Sequence, residues 1–373
     1  MTHAQRRVRL AAALAAAGLD ALVVSDLVNV RYLSGFTGSN AALLVFASGS
    51  DPDAPAVLAT DSRYLTQAAR QAPDLEVVIE RACAAHLVGR ALIDGAARIG
   101  FESHVVTVDG FDALTRRLGE YPKASLARAG GVVECLREVK DAGEVALLRL
   151  ACEAADAALT ALIAGGGLRP GRTERAVARE LEFLMFEHGA DGRAFETIVA
   201  TGANSAVPHH RPTDAELRSG DFVKIDFGAL VGGYHSDMTR TFVLGTAAPW
   251  QREVYALVAE AQRAGRAALV AGAELCEVDG AARAVIAEAG YGEHFGHGLG
   301  HGVGLQIHEA PGIGSAATGT LRAGSVVTVE PGVYLPGRGG VRIEDSILVA
   351  GGGTGEKGNE VLTRFPKEFT VLS

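Results

Sequence analysis

Residues 295–309 run Phe-Gly-His-Gly-Leu-Gly-His-Gly-Val-Gly-Leu-Gln-Ile-His-Glu, with glycine at every second position from Gly296 to Gly304. Five glycines so closely spaced exclude a helix. The alternation predicts an extended segment with His297, Leu299, His301, Val303 and Leu305 on one face. Its glycine face would admit another backbone or a ligand at close range. A Gly-rich surface loop would be polar. This stretch is apolar, and it holds three of the chain's eleven histidines. Such a cluster points to metal binding or acid–base chemistry.

The chain has 373 residues, enough for two cores. A hydrophobic share of 48% and a charged share of 21% are those of an ordinary globular protein. A net charge of −9 argues against a nucleic-acid partner, since no basic field is present to neutralise phosphates. No stretch approaches the roughly 18 apolar residues that span a bilayer, so no membrane association is expected. Arg6, Arg7 and Arg9 precede an Ala-rich run to Gly18, superficially like a signal peptide. The run is only weakly apolar. Val8, Leu10, Leu14 and Ala17 suit a helix stripe, and strand-like residues 20–24 follow. This predicts the first helix of a folded domain and a cytoplasmic protein. Cys83, Cys135, Cys152 and Cys276 are scattered, as buried reduced thiols in a reducing compartment would be.

Residues 1–133 alternate helix-like segments (11–17, 64–70) with strand-like ones (21–25, 41–47, 56–59, 75–80, 98–102), an α/β pattern on a mixed sheet. Residues 130–133 close this domain, and a charged connection, 137–141, follows. In the second domain, 134–373, helices are expected at 142–164, 173–188, 249–269 and 278–289. Gly165-Gly166-Gly167 stops the first, Thr173 caps the second and Pro249 starts the third. Strands are expected at 197–200, 221–229, 235–244, 325–329 and 341–349, which makes this domain α+β with antiparallel pairing. Two successive helix-then-hairpin units leave a pseudo-duplication open.

Two hairpins carry the chemistry. A turn centred between Val231 and Gly232 would set Asp226 directly opposite Asp237. A turn centred at Gly337 would set Glu330 opposite Glu344, although Pro331 limits pairing beside Glu330. Opposed residues have Cβ atoms about 5 Å apart, where like charges repel unless a cation sits between them. Both acidic pairs lie in apolar strands, where an unpaired charge is expensive. Four carboxylates with His301 suit two divalent cations, and such a donor set favours Mn²⁺, Co²⁺ or Zn²⁺. Two metals roughly 3.5 Å apart can share a bridging hydroxide and polarise a carbonyl.

The order Asp226, Asp237, His301, Glu330, Glu344 resembles the dinuclear site of the pita-bread metallopeptidases, which include methionine aminopeptidase, aminopeptidase P and prolidase. The words Lys-Ile-Asp-Phe-Gly from Lys224, Ser-Asp-Met-Thr-Arg from Ser236, Gly-His-Gly-Val-Gly from Gly300, Val-Glu-Pro-Gly from Val329 and Arg-Ile-Glu-Asp from Arg342 all match. Residues 29–39 and 60–64 resemble the N-terminal domain of the Xaa-Pro peptidase branch, which methionine aminopeptidases lack. Creatinase shares the architecture without the metal ligands. The resemblance implies a creatinase/prolidase-like first domain, a pita-bread second domain, two metal ions and a homodimer. It also implies that His209, or adjacent His210, stabilises the tetrahedral intermediate. His297 and His308 would contact substrate, and Arg342 would be an active-site arginine. By itself, His308 could equally be a satisfied core histidine.

The implied reaction is metal-assisted hydrolysis of the bond before proline in small peptides. Histidines and metal would hold the oxyanion. Glu330 would carry the proton to the leaving nitrogen. A prolidase-like Xaa-Pro dipeptidase is the favoured expectation, with aminopeptidase P acting on longer peptides as the alternative. A non-catalytic peptide-binding relative is the alternative of another class. Arg338 and Arg342 are candidate partners for a substrate carboxylate. Residues 34–40, with Arg31 and Arg63, are candidates for closing the site; those two arginines could equally brace the first domain.

Overall fold

Thr2 starts the chain's first helix with a reciprocal cap. Its hydroxyl accepts from the Gln5 amide, and Gln5 Oε1 accepts from Thr2 N at 2.8 Å. Helix α1 (His3–Ala16) buries Leu10 and Leu14, but Val8 is 68% exposed and Ala17 lies outside on the surface. The expected stripe is therefore rotated. Arg6 and Arg7 complete the inward face by donating to the carbonyls of Tyr32 and Leu33. The computed structural model describes residues 1–49, 56–351 and 358–373, in two units, Met1–Arg137 and Glu138–Ser373.

After α1 the first unit contains β1 (Ala21–Val24), α2 (Leu27–Ser34), β2 (Ala41–Phe46), β3 (Val57–Thr60), α3 (Leu65–Gln71) and β4 (Glu76–Ile79). It continues with α4 (Cys83–Ile93), β5 (Arg98–Phe101), α5 (Val108–Arg117), β6 (Ser125–Arg128) and the single turn α6 (Glu134–Arg137). The sheet order is β4-β3-β2-β1-β5-β6, parallel at β3–β4, β1–β5 and β5–β6 and antiparallel elsewhere. This is the mixed α/β sheet expected. Helices α2, α4 and α5 carried too weak a signal to be expected. In α4, Gly89 interrupts a stripe of Leu87, Val88, Ala91 and Leu92 that packs on the sheet.

The second unit contains α7 (Ala142–Ala164), α8 (Glu174–Glu187), β7 (Gly192–Arg193), β8 (Ile198–Thr201), β9 (Phe222–Phe227), β10 (Ala229–Val231), β11 (Tyr234–His235) and β12 (Met238–Leu244). There follow α9 (Pro249–Ala268), α10 (Leu275–Glu288), β13 (Gly300–Gly302), β14 (Glu309–Ile313), β15 (Val326–Val329), β16 (Gly332–Leu335), β17 (Gly339–Arg342), β18 (Asp345–Leu348), β19 (Glu360–Val361) and β20 (Val371–Leu372). Two sheets, β20-β12-β9-β8 and β14-β13-β15-β18-β19, carry the functional strands. Helices α7 and α8 share one core with β9 and β12, and α9 and α10 share another with β15 to β18. Both sheets thus have a helix-covered face. Among the described residues, no helix is long and apolar enough to cross a membrane.

Candidate metal centre

Every residue of β9 is buried, so Asp226 enters the unit on an apolar strand. It pairs with Thr239, not Asp237. The hairpin turn sits one residue later than its sequence suggested. Gly232 (φ 55°) and Gly233 (φ 83°) are both left-handed, and together they form the two central turn positions. The ladder breaks between β9 and β10 at Gly228, where a Cβ would lie 1.8 Å from the Ser236 carbonyl. That break, and the gap before β12, leave Asp237 outside the ladder but in the same cavity as Asp226.

The second hairpin keeps the expected register. Gly332 pairs with Arg342 in one ladder and Val329 with Asp345 in the next. Glu330 and Glu344 occupy matching positions in the gap between the two ladders, a gap that begins at Pro331. Glu330 N donates to the Leu299 carbonyl at 2.8 Å, and Glu344 N to Thr239 O at 3.2 Å, which ties this hairpin to its neighbours.

The Gly-rich segment is a strand only over β13, with a register shift between His301 and Gly302. The single face expected for it does not form. Leu299 and Val303 are fully buried, whereas His297 and His301 line the cavity. Close backbone approach explains Gly298, Gly300 and Gly302, as expected, whereas Gly304 is approached by the Glu309 carboxylate and a Cβ at Gly296 would meet nothing within 4 Å. A Cβ at Gly300 would lie 2.0 Å from Thr328 O, and one at Gly302 2.1 Å from Ala310 O. His301 Nδ1 is 3.0 Å from the Gly302 carbonyl, which can only accept. Nδ1 therefore carries a proton, and Nε2 faces Glu330 Oε1 at 3.4 Å and Asp237 Oδ2 at 3.6 Å.

All nine expected site residues line one cavity of about 490 Å³. His308 stacks edge-on against His301, with ring centroids 4.4 Å apart. His297 Nε2 meets the Tyr334 hydroxyl at 2.9 Å, and its own carbonyl is held by Arg283 at 2.7 Å. Burial lowers the pKa of both His297 and His308. His209 is exposed on the rim, whereas neighbouring His210 is bonded to Glu174 at 2.8 Å. Arg342 is buried and committed to the site itself. It donates to Asp226, to Thr239 Oγ1 at 3.0 Å, to the Tyr334 hydroxyl at 2.8 Å and to Pro208 O at 3.3 Å. Arg338 does not line the cavity; it stacks on Trp250 at 4.1 Å, which removes it as a partner for a substrate carboxylate. In the first unit, Arg63 makes a two-pronged ion pair with Asp61.

Burial, then the charges of Glu330, Glu344 and Asp226 around them, push Asp237 and Glu344 well above the usual carboxylate range. Glu330 is also buried, but hydrogen bonding and charge from His301, reinforced by Arg342, bring it down to about 2. His301 rises in turn: burial opposes its charge, and Glu330 outweighs burial. Asp226 Oδ1 and Glu344 Oε1 are buried with no hydrogen-bond donor. Two orphaned carboxylate oxygens in one cavity are what a cation would satisfy. Ligand atoms of Asp237, His301 and Glu344 lie within 4.8 Å of one another. The residues present therefore fit a bound divalent metal. Tyr334, Thr239 and Lys224 were missed in the sequence. Tyr334 was accessible, because period two from Glu330 puts it on the same face. Lys224 donates from β9 to Val207 O at 2.7 Å, a contact no local pattern reveals.

Comparison with known proteins agrees with this geometry. Residues 146–350 match the model of metallopeptidase family M24, and residues 6–139 match the creatinase/prolidase N-terminal domain. The chain is 38% identical over 356 residues to YqhT, an uncharacterized peptidase of Bacillus subtilis, covering 95% of this chain and 96% of that one. A solved Xaa-Pro dipeptidase from Bacillus anthracis superposes with a TM-score of 0.91 at 38% identity over all of both chains. An X-Pro aminopeptidase from Thermotoga maritima gives 0.84 at 34% identity, covering 95% of this chain and 98% of that one.

Proposed function

The chain belongs to metallopeptidase family M24, and from that premise we propose that it hydrolyses the Xaa-Pro bond of dipeptides. Asp226, Asp237, His301, Glu330 and Glu344 would hold two divalent metal ions, with manganese the favoured metal and cobalt or zinc the alternatives. When bound, these ions would supply a nucleophilic water at neutral pH and polarise the scissile carbonyl. The observation that carries this reading is the pair of orphaned oxygens, Asp226 Oδ1 and Glu344 Oε1, in the cavity that His301 also lines.

Position in the cavity supports the remaining roles. His209 and His308 line the cavity, placed to donate to the developing oxyanion. His297, whose pKa burial lowers, lines the same cavity and would contact the substrate, oriented by Tyr334. Glu330 stays ionised and moves a proton from the attacking water to the proline nitrogen, which carries no hydrogen and must gain one to leave. Arg342 fixes Asp226 and stands beside Glu330 at 3.9 Å, so it serves the ligands first. A cavity of about 490 Å³ matches a dipeptide-sized ligand. Cys83 and Cys152 are buried as expected, whereas Cys135 is exposed and Cys276 half-buried; the scattered spacing of the four cysteines is what supports a cytoplasmic setting. A homodimer is the assembly the family resemblance suggests.

Likeness to the Thermotoga maritima X-Pro aminopeptidase favours a second reading, in which longer peptides are cleaved. The test is hydrolysis of Ala-Pro against Ala-Pro-Ala by protein stripped with a chelator and reloaded with Mn²⁺. Chelation should abolish activity and Mn²⁺ restore it. Efficient tripeptide cleavage moves the assignment to an aminopeptidase; chelator-resistant hydrolysis overturns the metal mechanism.

A further inference from the structure

The rim that presents His209 is tied to one carboxylate that the reaction does not use. Glu174 is the first residue of α8, where an acidic side chain ordinarily faces solvent beside the helix N-terminus. Here its side chain is fully buried. Its two oxygens take five hydrogen bonds. Oε1 accepts from Thr201 N at 2.8 Å and from Asn204 Nδ2 at 2.9 Å. Oε2 accepts from His210 Nε2 at 2.8 Å, Thr213 N at 2.9 Å and Thr213 Oγ1 at 2.7 Å.

These donors bracket the rim. Thr201 and Asn204 lie where the chain leaves β8, and His210 and Thr213 lie beyond His209. Lys224 holds the middle through the carbonyls of Val207 and Pro208, to which Arg342 adds one bond. Among the described residues, the Glu174 carboxylate is the side chain that bonds to both ends; backbone bonds from Glu174 N to Ala215 O and from Arg175 N to Thr213 O hold the second end to α8 as well. Each carboxylate oxygen serves at least two donors, which a neutral amide at that position cannot do. Buried polar groups satisfied this completely fix a single local geometry. Burial raises the Glu174 pKa, but the bond from His210 and the other donors outweigh it and keep the carboxylate ionised.

We propose that Glu174 is a positioning residue of the active site, setting through His210 and Thr213 the rim from which His209 reaches the substrate. The proposal rests on the Xaa-Pro peptidase reading for what His209 does, but not for how the rim is held. A displacement of about 1 Å at a reacting group can lower a rate about 100-fold.

The experiment is a double-mutant cycle of wild type, Glu174→Gln, His209→Ala and the double variant, all loaded with Mn²⁺. Glu174→Gln should lower kcat on Ala-Pro by about 10- to 100-fold with KM and bound metal unchanged. In the His209→Ala background the same change should lower kcat less than about threefold, because its target is gone. Equal losses in both backgrounds, or loss of metal, overturn the proposal. Hydrogen exchange supplies a readout independent of activity. The Thr201 and Thr213 amides, and the 207–212 segment between them, should exchange faster in Glu174→Gln while β9 stays protected. Unchanged exchange there overturns the proposal even if wild type proves not to cleave Xaa-Pro. If Glu174→Gln does not fold, His210→Asn, which removes one donor from the rim, should give the same pattern at smaller size.

Discussion

The two acidic hairpins reach the same cavity by different means, yet each contributes one braced and one strained carboxylate. In the first hairpin, Asp226 is held by the buried Arg342, while Asp237 faces the His301 ring at 3.6 Å. In the second, Glu330 is held by His301 and Arg342, while Glu344 rests on the Thr239 hydroxyl at 2.7 Å and leaves one oxygen orphaned. Burial and like charge push the strained pair up in pKa; neighbouring cations hold Glu330 down. A bound metal therefore has an unequal task. It must neutralise Asp237 and Glu344, whereas protein cations already serve Glu330 and one oxygen of Asp226, whose Oδ1 still wants a cation.

The largest expected effect removes a strained member. Asp237→Ala or Glu344→Ala should lower Xaa-Pro hydrolysis about 1,000-fold or more, since several kcal/mol of metal-derived stabilisation is lost. Steady-state assays with saturating Mn²⁺ would show it. Retention of a tenth of the wild-type rate would remove that carboxylate from the ligand set.

Stability should split the two classes in the metal-free protein. Asp226→Ala strands the buried Arg342 guanidinium and should lose about 3–5 kcal/mol. Asp237→Asn relieves a like-charge contact and should hold or gain stability, as should Glu344→Gln. The dependence on pH has a definite sign. Asp237 and Glu344 have raised pKa values in the folded state, so their contribution is fully present below the unfolded values and is lost as pH rises. Glu330, depressed to about 2, acts in reverse, and its contribution disappears as pH falls from about 4.5 toward 2. Metal-free wild type should thus lose Tm as pH rises above the ordinary carboxylate range, and Asp237→Asn should flatten that loss. Melting curves that show Asp226→Ala and Asp237→Asn equally unstable would erase the distinction between braced and strained.

Much of this division was legible in the sequence, and the parts that were not have physical reasons. Helix α7 was readable because three glycines stop it, although its Asp141 cap was read as part of a charged connection. The Glu330–Glu344 register was readable because one short turn fits between two β-prone runs. The first hairpin's turn was misplaced by one residue, and its pairing therefore by two, since Leu230, Val231 and two glycines offer more than one turn centre, and only the backbone angles choose. The commitments of Arg342 were invisible: of its side-chain hydrogen-bond partners, Thr239, Asp226 and Pro208 lie 103 to 134 residues away, so no local pattern ties the guanidinium to Asp226. The five-donor role of Glu174 was hidden in the same way, behind separations of 27 to 39 residues. In the first unit, α2 was hidden because its residues carry a recognisable motif but a short stripe, capped by Asp26 and ended by Gly35 at φ 80°.

The smallest effects should come from the turns, and they bear on why one register was readable and the other was not. Gly337 has a φ of 75°, and a Cβ there would meet nothing within 4 Å. Gly337→Ala should therefore lose only the left-handed penalty, about 1–2 kcal/mol. Gly232 has a φ of 55°, and a Cβ there would lie 2.8 Å from Leu147 Cδ2, so Gly232→Ala should lose slightly more, because the Leu147 side chain on α7 must shift as well. Neither glycine lines the cavity, and both ladders are pinned by buried strands. Below the melting transition, kcat on Ala-Pro should stay within about twofold of wild type for Gly337→Ala. A one-residue slip would turn every side chain of the strand to the opposite face and carry Glu344 out of the cavity. Stable protein with lost activity would thus mean that the turn, not the buried ladders, sets the register of the second hairpin.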